Sequence, residues 1–265
     1  MVELQASEWV AGKVGADGFA IIDPRRPMKY LSGHLPGAIN IPTYKAFGAD
    51  GKLLAPDALA EWLGAAGLAD GVAPILYDSP EGQNAAMLAW ILEYLGCARV
   101  AVMEVFFERW KSDGREVTYR PVAPTAGRFT ARVNPAIRAT LDDVRANRSD
   151  RIVDFRSREE FIGERSMADD RPGHIPGAAS VVWRDLNGAD GRIVAQRERL
   201  EALFSDAGVA RGARTIAYCR SGPRAALGYL ALRAAGHDSR LFDGSFAEWS
   251  RADLPIESPA VGEKR

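Results

Sequence analysis

The stretch Tyr218-Cys219-Arg220-Ser221-Gly222-Pro223-Arg224-Ala225-Ala226 decides both the fold and the chemistry predicted for this chain. The apolar run from Thr215 to Tyr218 predicts a β-strand, and the apolar spacing from Ala225 to Leu232 predicts a helix directly after it. A cysteine at such a turn lies beside unpaired backbone N–H groups and the positive end of the helix dipole, which favour a thiolate. The two arginines of the stretch act in the same direction. We therefore predict that Cys219 is a nucleophile.

The composition describes a globular protein with ample core and excludes several classes of function. The chain has 265 residues, 47% of them apolar and 26% charged, with a net charge of −1. This balance argues against a general nucleic-acid or membrane-surface binder, and no apolar run approaches the roughly 20 residues of a membrane span. Cys97 and Cys219 are the only cysteines, so we expect no disulfide framework, no metal site and no cofactor. With no signal-peptide pattern at the N-terminus, we expect a cytoplasmic protein.

The two halves of the chain repeat one another. Gly-His-Leu-Pro-Gly-Ala at residues 33–38 is answered by Gly-His-Ile-Pro-Gly-Ala at residues 173–178, and the two histidines lie 140 positions apart. The glycines Gly96 and Gly236, each at the end of a predicted helix, are also 140 positions apart. So steady an offset indicates a duplicated domain. Because short strands alternate with helices in each half, we predict an α/β fold with a mainly parallel sheet and helices on both faces.

Glycine and proline interrupt the pattern between Ser112 and Arg128 and mark the predicted boundary. We assign residues 1–115 to a first domain, residues 116–129 to a linker and residues 130–265 to a second domain. Where the second copy has Cys219, the first has Asp78, which cannot act as a sulfur nucleophile. We therefore predict that the first domain is catalytically inactive and that the second is catalytic.

One interval breaks the repeat. Asp23 and His34 are 11 positions apart, whereas Asp154 and His174 are 20 apart. The additional residues form a long polar loop, residues 156–172, which we call the inserted loop and for which we predict a functional role.

Four motifs combine into one recognisable pattern: Gly-His-x-Pro-Gly-Ala in both halves, Asp154-Phe155-Arg156, the loop Cys219–Arg224, and Asp243–Trp249. With this combination the chain resembles the tandem rhodanese-domain sulfurtransferases over nearly its whole length. The resemblance implies two tandem rhodanese-like domains, of which only the second is active. It also implies a two-step reaction, in which Cys219 takes sulfur from thiosulfate or 3-mercaptopyruvate as a persulfide. Cyanide, a thiol or another protein then accepts the sulfur.

The resemblance also implies a set of substrate-binding residues. The loop should turn its backbone N–H groups towards the sulfur, and the inserted loop and the strand before it should supply arginines. The implied residues are Arg220, Ser221, Gly222, Pro223, Arg224, Arg156 and, as a looser candidate, Arg165. Arg156 has an alternative interpretation, an ion pair with Glu159 or Glu160.

The loop sequence does not determine which sulfur donor the chain uses. Arg220 matches the Cys-Arg-Lys-Gly-Val-Thr pattern of thiosulfate enzymes, whereas Ser221 matches the Cys-Gly-Ser-Gly-Val-Thr pattern of mercaptopyruvate enzymes. Arg224 occurs in neither pattern. Because two arginines favour a compact dianion, we expect thiosulfate, with 3-mercaptopyruvate or a persulfide relay to a partner protein as alternatives.

Two further interpretations can be weighed from the sequence. A phosphatase of the same fold would have five residues between its cysteine and arginine, but only four separate Cys219 from Arg224. His34 and His174 invite assignment as general bases, but a base should be missing where the nucleophile is missing. Because both copies keep the histidine, we predict structural hydrogen bonds for it. The chain is therefore expected to bind a small anionic sulfur donor and no nucleic acid or membrane.

Overall fold

A computed structural model describes residues 2–167 and 170–258. These residues form two compact units. The first unit contains the chain up to Pro135 together with the segment Asn187–Val194, and the second contains Ala136–Leu186 and the chain from Ala195 onward. Residues 168–169 of the inserted loop and the last seven residues of the predicted second domain, 259–265, lie outside the described residues.

The stretch predicted as a linker, residues 116–129, lies within the first unit. Thr118 forms an antiparallel bridge with His34, and the Gly127 N–H donates to the Gly64 carbonyl oxygen at 2.9 Å. The change from one unit to the other occurs after Pro135, a few residues beyond that stretch.

The first unit is built on a five-stranded parallel sheet. Its elements in chain order are β1 (Val2–Gln5), α1 (Ser7–Ala11), β2 (Phe19–Asp23), α2 (Pro27–Leu31), β3 (Ile39–Asn40), α3 (Pro56–Ala65), β4 (Ala73–Leu76), α4 (Gln83–Tyr94), β5 (Val100–Met103) and α5 (Phe107–Ser112). The strand order is β1-β5-β4-β2-β3, and every pairing is parallel. β4 and β5 are buried along their whole length, because a parallel sheet with helices around it has no solvent-facing side at its centre.

The second unit repeats this arrangement with a four-stranded parallel sheet. Its elements are α6 (Leu141–Ala146), β6 (Arg151–Asp154), α7 (Arg158–Phe161), β7 (Ala179–Ser180), α8 (Arg197–Asp206), β8 (Arg214–Tyr218), α9 (Pro223–Ala234), β9 (Asp238–Leu241) and α10 (Ser245–Arg251). The strand order is β7-β6-β8-β9. The predicted α/β fold with two parallel sheets is therefore confirmed.

The register of the second sheet determines where Cys219 lies. β6 and β8 pair in parallel so that Asp154 is the register partner of Tyr218, the last residue of β8. The carboxyl ends of the two strands are therefore side by side, and this edge is where parallel α/β folds place their sites. Cys219 is the next residue of the chain.

Close packing holds α9 against this edge. Phe155, directly after β6, is fully buried, and a Cβ built on Gly228 would lie only 2.4 Å from its ring. Only glycine allows the helix to approach so closely. The first turn of α9 is thus fixed relative to the end of β8.

Among the residues that the structure describes, no helix has the length and apolar character needed to cross a membrane.

Candidate active site

Cys219 lies in the turn between β8 and α9 and is 1% exposed. The Gly222 N–H donates a hydrogen bond to its Sγ at 3.2 Å. α9 begins at Pro223, where the missing N–H costs nothing because the first turn of a helix has no acceptor for it. The sulfur therefore lies at a helix N-terminus and has a backbone donor, as the sequence suggested.

Gly222 has a backbone conformation that aims this donor. Its φ is 105° and its ψ is −55°, in the region that L side chains rarely adopt. Its carbonyl oxygen accepts from the Ala226 N–H at 2.8 Å and closes the first turn of α9. With this positive φ, Gly222 starts the first turn of α9 while its own N–H points at Sγ.

Gly222→Ala is expected to slow the reactions of Cys219 about ten-fold, because an L side chain at a positive φ costs about 1–2 kcal/mol and the loop relaxes by turning its N–H away from Sγ. The measurement is the rate of Cys219 alkylation by iodoacetamide together with turnover. Gly212→Ala is the matched control, since Gly212 has a φ of 70° with no neighbouring atom within 4 Å of a built Cβ. Equal effects of the two substitutions would contradict this role for Gly222.

The start of α10 holds the cysteine backbone from the other side. The Cys219 N–H donates to Ser245 Oγ at 3.2 Å, and that hydroxyl donates to the Phe242 carbonyl oxygen at 2.8 Å. The Phe246 N–H donates to the Cys219 carbonyl oxygen at 3.0 Å. Ser245 is fully buried with a φ of 54°, a strained value that these bonds sustain. The motif Asp243–Trp249 was visible in the sequence, but its contact with the cysteine was not.

Arg224 forms a two-pronged ion pair with Glu160. Its Nη1 donates to Oε2 at 2.6 Å and its Nη2 donates to Oε1 at 2.9 Å. Burial alone would raise the pKa of Glu160, but the hydrogen bonds and charge of Arg224 outweigh it and lower that pKa to about 2. Burial would likewise lower the pKa of Arg224, but Glu160 and the negative charge of Cys219 raise it. Arg224 is therefore a fixed cation that interacts electrostatically with both Glu160 and Cys219.

Arg220 is paired in the same way, with a residue of the inserted loop. Its Nε donates to Asp170 Oδ2 at 2.7 Å, and the Asp170 side chain is 5% exposed. The next residue, Arg171, anchors the loop, because its N–H donates to Ser250 Oγ at 2.8 Å. The inserted loop thus contributes a carboxylate that binds Arg220, the residue after the cysteine.

Arg156 is buried and forms its ion pair with Asp154, not with Glu159 or Glu160, the two partners suggested from the sequence. Nη2 donates to Asp154 Oδ2 at 2.7 Å and to the Gly173 carbonyl oxygen at 2.8 Å. The guanidinium lies 4.0 Å from the centre of the Phe246 ring. These bonds connect the end of β6 to the Gly-His-x-Pro-Gly turn.

The first unit contains the same arrangement without a cysteine. Arg25 Nη2 donates to Asp23 Oδ2 at 2.6 Å and to the Gly33 carbonyl oxygen at 2.8 Å, and its guanidinium lies 4.4 Å from the Phe107 ring centre. Arg25 Nη1 also donates to Ser79 Oγ at 3.1 Å. The contacts with the aspartate, the glycine carbonyl and the aromatic ring recur in both copies, and these shared contacts are structural. The repeated Asp-x-Arg at 23–25 and 154–156 was a sequence signal for this role that the motif comparison overlooked.

The remaining candidate residues contribute less. Arg165 is exposed, and its backbone N–H donates to the Glu159 carbonyl oxygen at 3.0 Å. The pKa of the Glu159 carboxyl is lowered mainly by a Ser157 hydrogen bond, with a smaller effect from the Arg165 charge. The described contacts of Arg165 are thus with its own segment. Ser221 and Pro223 are half-buried in the turn itself.

The loop of the first unit is already occupied by its own side chain. The Asp78 carboxylate accepts from the N–H groups of Ser79 at 2.9 Å, Asn84 at 2.8 Å and Ala85 at 3.0 Å. Burial raises the pKa of Asp78 to about 6. The backbone donors that an anion would need at this turn therefore bind Asp78. That the first copy is catalytically silent stays a prediction.

The two motif histidines are structural, as predicted from their repetition. His34 Nδ1 hydrogen-bonds the Tyr30 carbonyl at 2.9 Å, and His174 Nδ1 hydrogen-bonds the Phe161 carbonyl at 2.8 Å. Each imidazole also stacks on the ring of that aromatic residue. Both side chains are buried in this way at the start of the Gly-His-x-Pro-Gly turn.

Comparisons with known proteins agree with the duplication. A family model described as a rhodanese-like domain matches residues 6–113 and again residues 138–252. A protein of Synechococcus elongatus, provisionally named a thiosulfate sulfurtransferase, is 30% identical over 97% of this chain and 85% of its own length. A protein of Saccharopolyspora erythraea with the same provisional name is 30% identical over 97% of this chain and 96% of its own length.

Solved structures with the same fold come from ergothioneine biosynthesis. The anaerobic ergothioneine biosynthesis enzyme from Chlorobium limicola superposes with a TM-score of 0.88 at 22% identity, covering 97% of this chain and 70% of its own. A structure of EanB with a cysteine persulfide and ergothioneine has a TM-score of 0.88 at 23% identity, with the same two coverages. At this level of identity the likeness concerns the fold alone.

Proposed function

The chain belongs to the rhodanese-like family and is a sulfurtransferase, and from this premise we propose that it moves a sulfane sulfur from thiosulfate to cyanide or a thiol through a persulfide on Cys219. The observation that carries the proposal is the contrast between the two turns. One holds a buried thiol with a backbone donor at 3.2 Å from Sγ, whereas the other is filled by a carboxylate. The proposed compartment is the cytoplasm, because both cysteines are unpaired thiols.

In the first step, the Cys219 thiolate attacks the outer sulfur of thiosulfate. A sulfur–sulfur bond forms to Cys219, and the original sulfur–sulfur bond breaks with its electron pair leaving on sulfite. The cysteine is then a persulfide with a negative terminal sulfur. The turn stabilises this charge through the N-terminus of α9 and the nearby Arg224 cation. Burial of the turn limits the access of water to the intermediate.

In the second step, the acceptor attacks the terminal sulfur of the persulfide. With cyanide, a carbon–sulfur bond forms and the sulfur–sulfur bond to Cys219 breaks, with the electron pair returning to the Cys219 thiolate. Thiocyanate is released and the enzyme is regenerated without change in its oxidation state. A thiolate acceptor leaves instead as a persulfide by the same exchange, and a cysteine of a partner protein would do so in a relay.

3-Mercaptopyruvate is the second candidate donor, and one observation favours it. Arg220 and Arg224 are already paired with Asp170 and Glu160, which leaves less positive charge for a dianion than the sequence suggested. A donor such as 3-mercaptopyruvate, which carries a single carboxylate, needs less positive charge for binding. The provisional names of the relatives favour thiosulfate.

The test is thiocyanate release from cyanide with each donor in turn. We expect turnover with thiosulfate that saturates with its concentration. If thiocyanate forms with 3-mercaptopyruvate but not with thiosulfate, the donor is 3-mercaptopyruvate and the persulfide mechanism still holds. Absence of thiocyanate with both donors would contradict the proposed function.

A phosphatase reaction is expected to be absent. Four residues separate Cys219 from Arg224, and both terminal nitrogens of that arginine donate to Glu160. We expect p-nitrophenyl phosphate to be hydrolysed no faster by the wild type than by Cys219→Ala. Hydrolysis that depends on Cys219 would contradict the assignment to sulfur transfer.

A further inference from the structure

Both cations of the Cys219 turn have a carboxylate partner, whereas the equivalent positions of the first unit, Ser79 and Asn84, carry no charge. Glu160 is the third residue of α7, and its counterpart in α2 is Lys29. Arg224 is the second residue of α9, and its counterpart in α4 is Asn84. The first unit thus forms the same fold with neither member of the ion pair. The pair is therefore not a requirement of the fold, and it accompanies the cysteine.

The Glu160 carboxylate is held from two sides. It forms a capping box with Ser157, in which the Ser157 N–H donates to Oε2 at 3.1 Å and the Glu160 N–H donates to Ser157 Oγ at 3.3 Å. Its other contacts are the two bonds to Arg224, whose side chain is 21% exposed. An anionic substrate that needs Arg224 must therefore share it with a carboxylate that is fixed in place.

The charges of the two ion pairs at this turn cancel. Arg220 with Asp170, and Arg224 with Glu160, each form a pair with no net charge, and the thiolate adds one negative charge. A dianion that approaches Sγ is attracted by two arginines and repelled by two carboxylates and the thiolate. Because Coulomb energy scales with the charge of the ligand, the repulsion by Glu160 and Asp170 penalises a dianion about twice as much as a monoanion.

We propose that Glu160 and Asp170 are donor-specificity residues, which hold down the affinity of the site for dianionic sulfur donors relative to monoanionic ones. The proposal rests on the function proposed above, in which Cys219 receives the sulfur. Both residues act on the donor through the arginines and through their own charge. Neither takes part in bond formation.

The first experiment measures binding without turnover. Sulfate serves as a dianion and nitrate as a monoanion, and each is titrated for protection of Cys219 against iodoacetamide. For Glu160→Gln, which keeps an acceptor for the capping box, we expect the sulfate concentration for half protection to fall about ten-fold. The nitrate concentration for half protection should fall about three-fold or less. Asp170→Asn is a second, independent variant with the same expected direction.

The second experiment measures KM and kcat for thiosulfate and for 3-mercaptopyruvate. In both variants the KM for thiosulfate should fall more than the KM for 3-mercaptopyruvate. Glu164→Gln, an exposed carboxylate of the inserted loop, is the matched control and should leave both values unchanged. An equal change for both donors, or a loss of kcat with an unchanged KM, would assign the carboxylates to positioning the arginines and overturn the proposal.

The experiments distinguish failure of the proposed function from failure of the specificity proposal. If no donor places sulfur on Cys219, the proposed function fails, and the specificity proposal fails with it. If the persulfide forms but the preference between dianion and monoanion is the same in the wild type and in both variants, only the specificity proposal fails.

Discussion

Cys219→Ser is expected to lower turnover with thiosulfate and cyanide by at least about 10⁴-fold, because removal of a nucleophile removes the covalent route itself. The serine hydroxyl fits the turn and can accept the Gly222 N–H in place of Sγ. It cannot form the sulfur–sulfur bond that carries the transferred atom. The measurement is thiocyanate release at saturating donor, compared with the wild type.

Cys97→Ser is the matched control. The Cys97 thiol lies after the helix end in the first unit, burial raises its pKa, and its Sγ lies 3.5 Å from the Arg99 carbonyl oxygen. Removing it should change turnover less than two-fold. Turnover that survives in Cys219→Ser, or that is lost in Cys97→Ser, would move the nucleophile away from the turn after β8.

The second large effect concerns Asp78 and the stability of the first unit. Burial raises the pKa of Asp78 in the folded chain to about 6, above the ordinary value of 3.8. The fold therefore favours the neutral carboxyl. This stabilisation is fully present below pH 3.8 and is lost as the pH rises through 6. The shift corresponds to a loss of about 2 kcal/mol between pH 4 and pH 7.5.

Asp78→Asn removes this titration. Relative to the wild type, we expect the variant to gain about 2 kcal/mol in free energy of unfolding between pH 4 and pH 7.5, or on the order of 5–10 °C in Tm. The comparison is the difference in Tm between the two proteins at each pH, in which other titrating groups cancel. Asp17→Asn, at an exposed position of the same unit, should show a difference that does not vary with pH. A constant difference for Asp78→Asn would contradict the raised pKa.

The sequence was sufficient to predict the duplicated α/β fold and the position of Cys219. Both depend on local patterns: the alternation of short apolar strands with helices, the steady spacing of the two Gly-His-x-Pro-Gly motifs, and a cysteine between a strand and a glycine-proline turn. The repeat also acted as an internal control, because His34 in the copy without the cysteine indicated a structural role for His174. The structure agrees in each of these respects.

The electrostatics of the turn could not be predicted in this way. The partner of Arg224 lies 64 residues away in the sequence and the partner of Arg220 lies 50 residues away, and no periodicity links them. The two arginines were interpreted as ligands for a dianion, but the structure shows each already bound to a carboxylate. Ser245 was missed for a similar reason, since its bond to Cys219 depends on how α10 packs against the turn.

The most direct test of the central claim is intact-mass spectrometry of the whole chain after brief treatment with thiosulfate, followed by peptide mapping. We expect the wild type to gain the mass of one sulfur atom on the peptide that contains Cys219. That gain should be reversed by cyanide and be absent from Cys219→Ser. No gain on the wild type, or a gain that persists in Cys219→Ser, would contradict a persulfide at this cysteine.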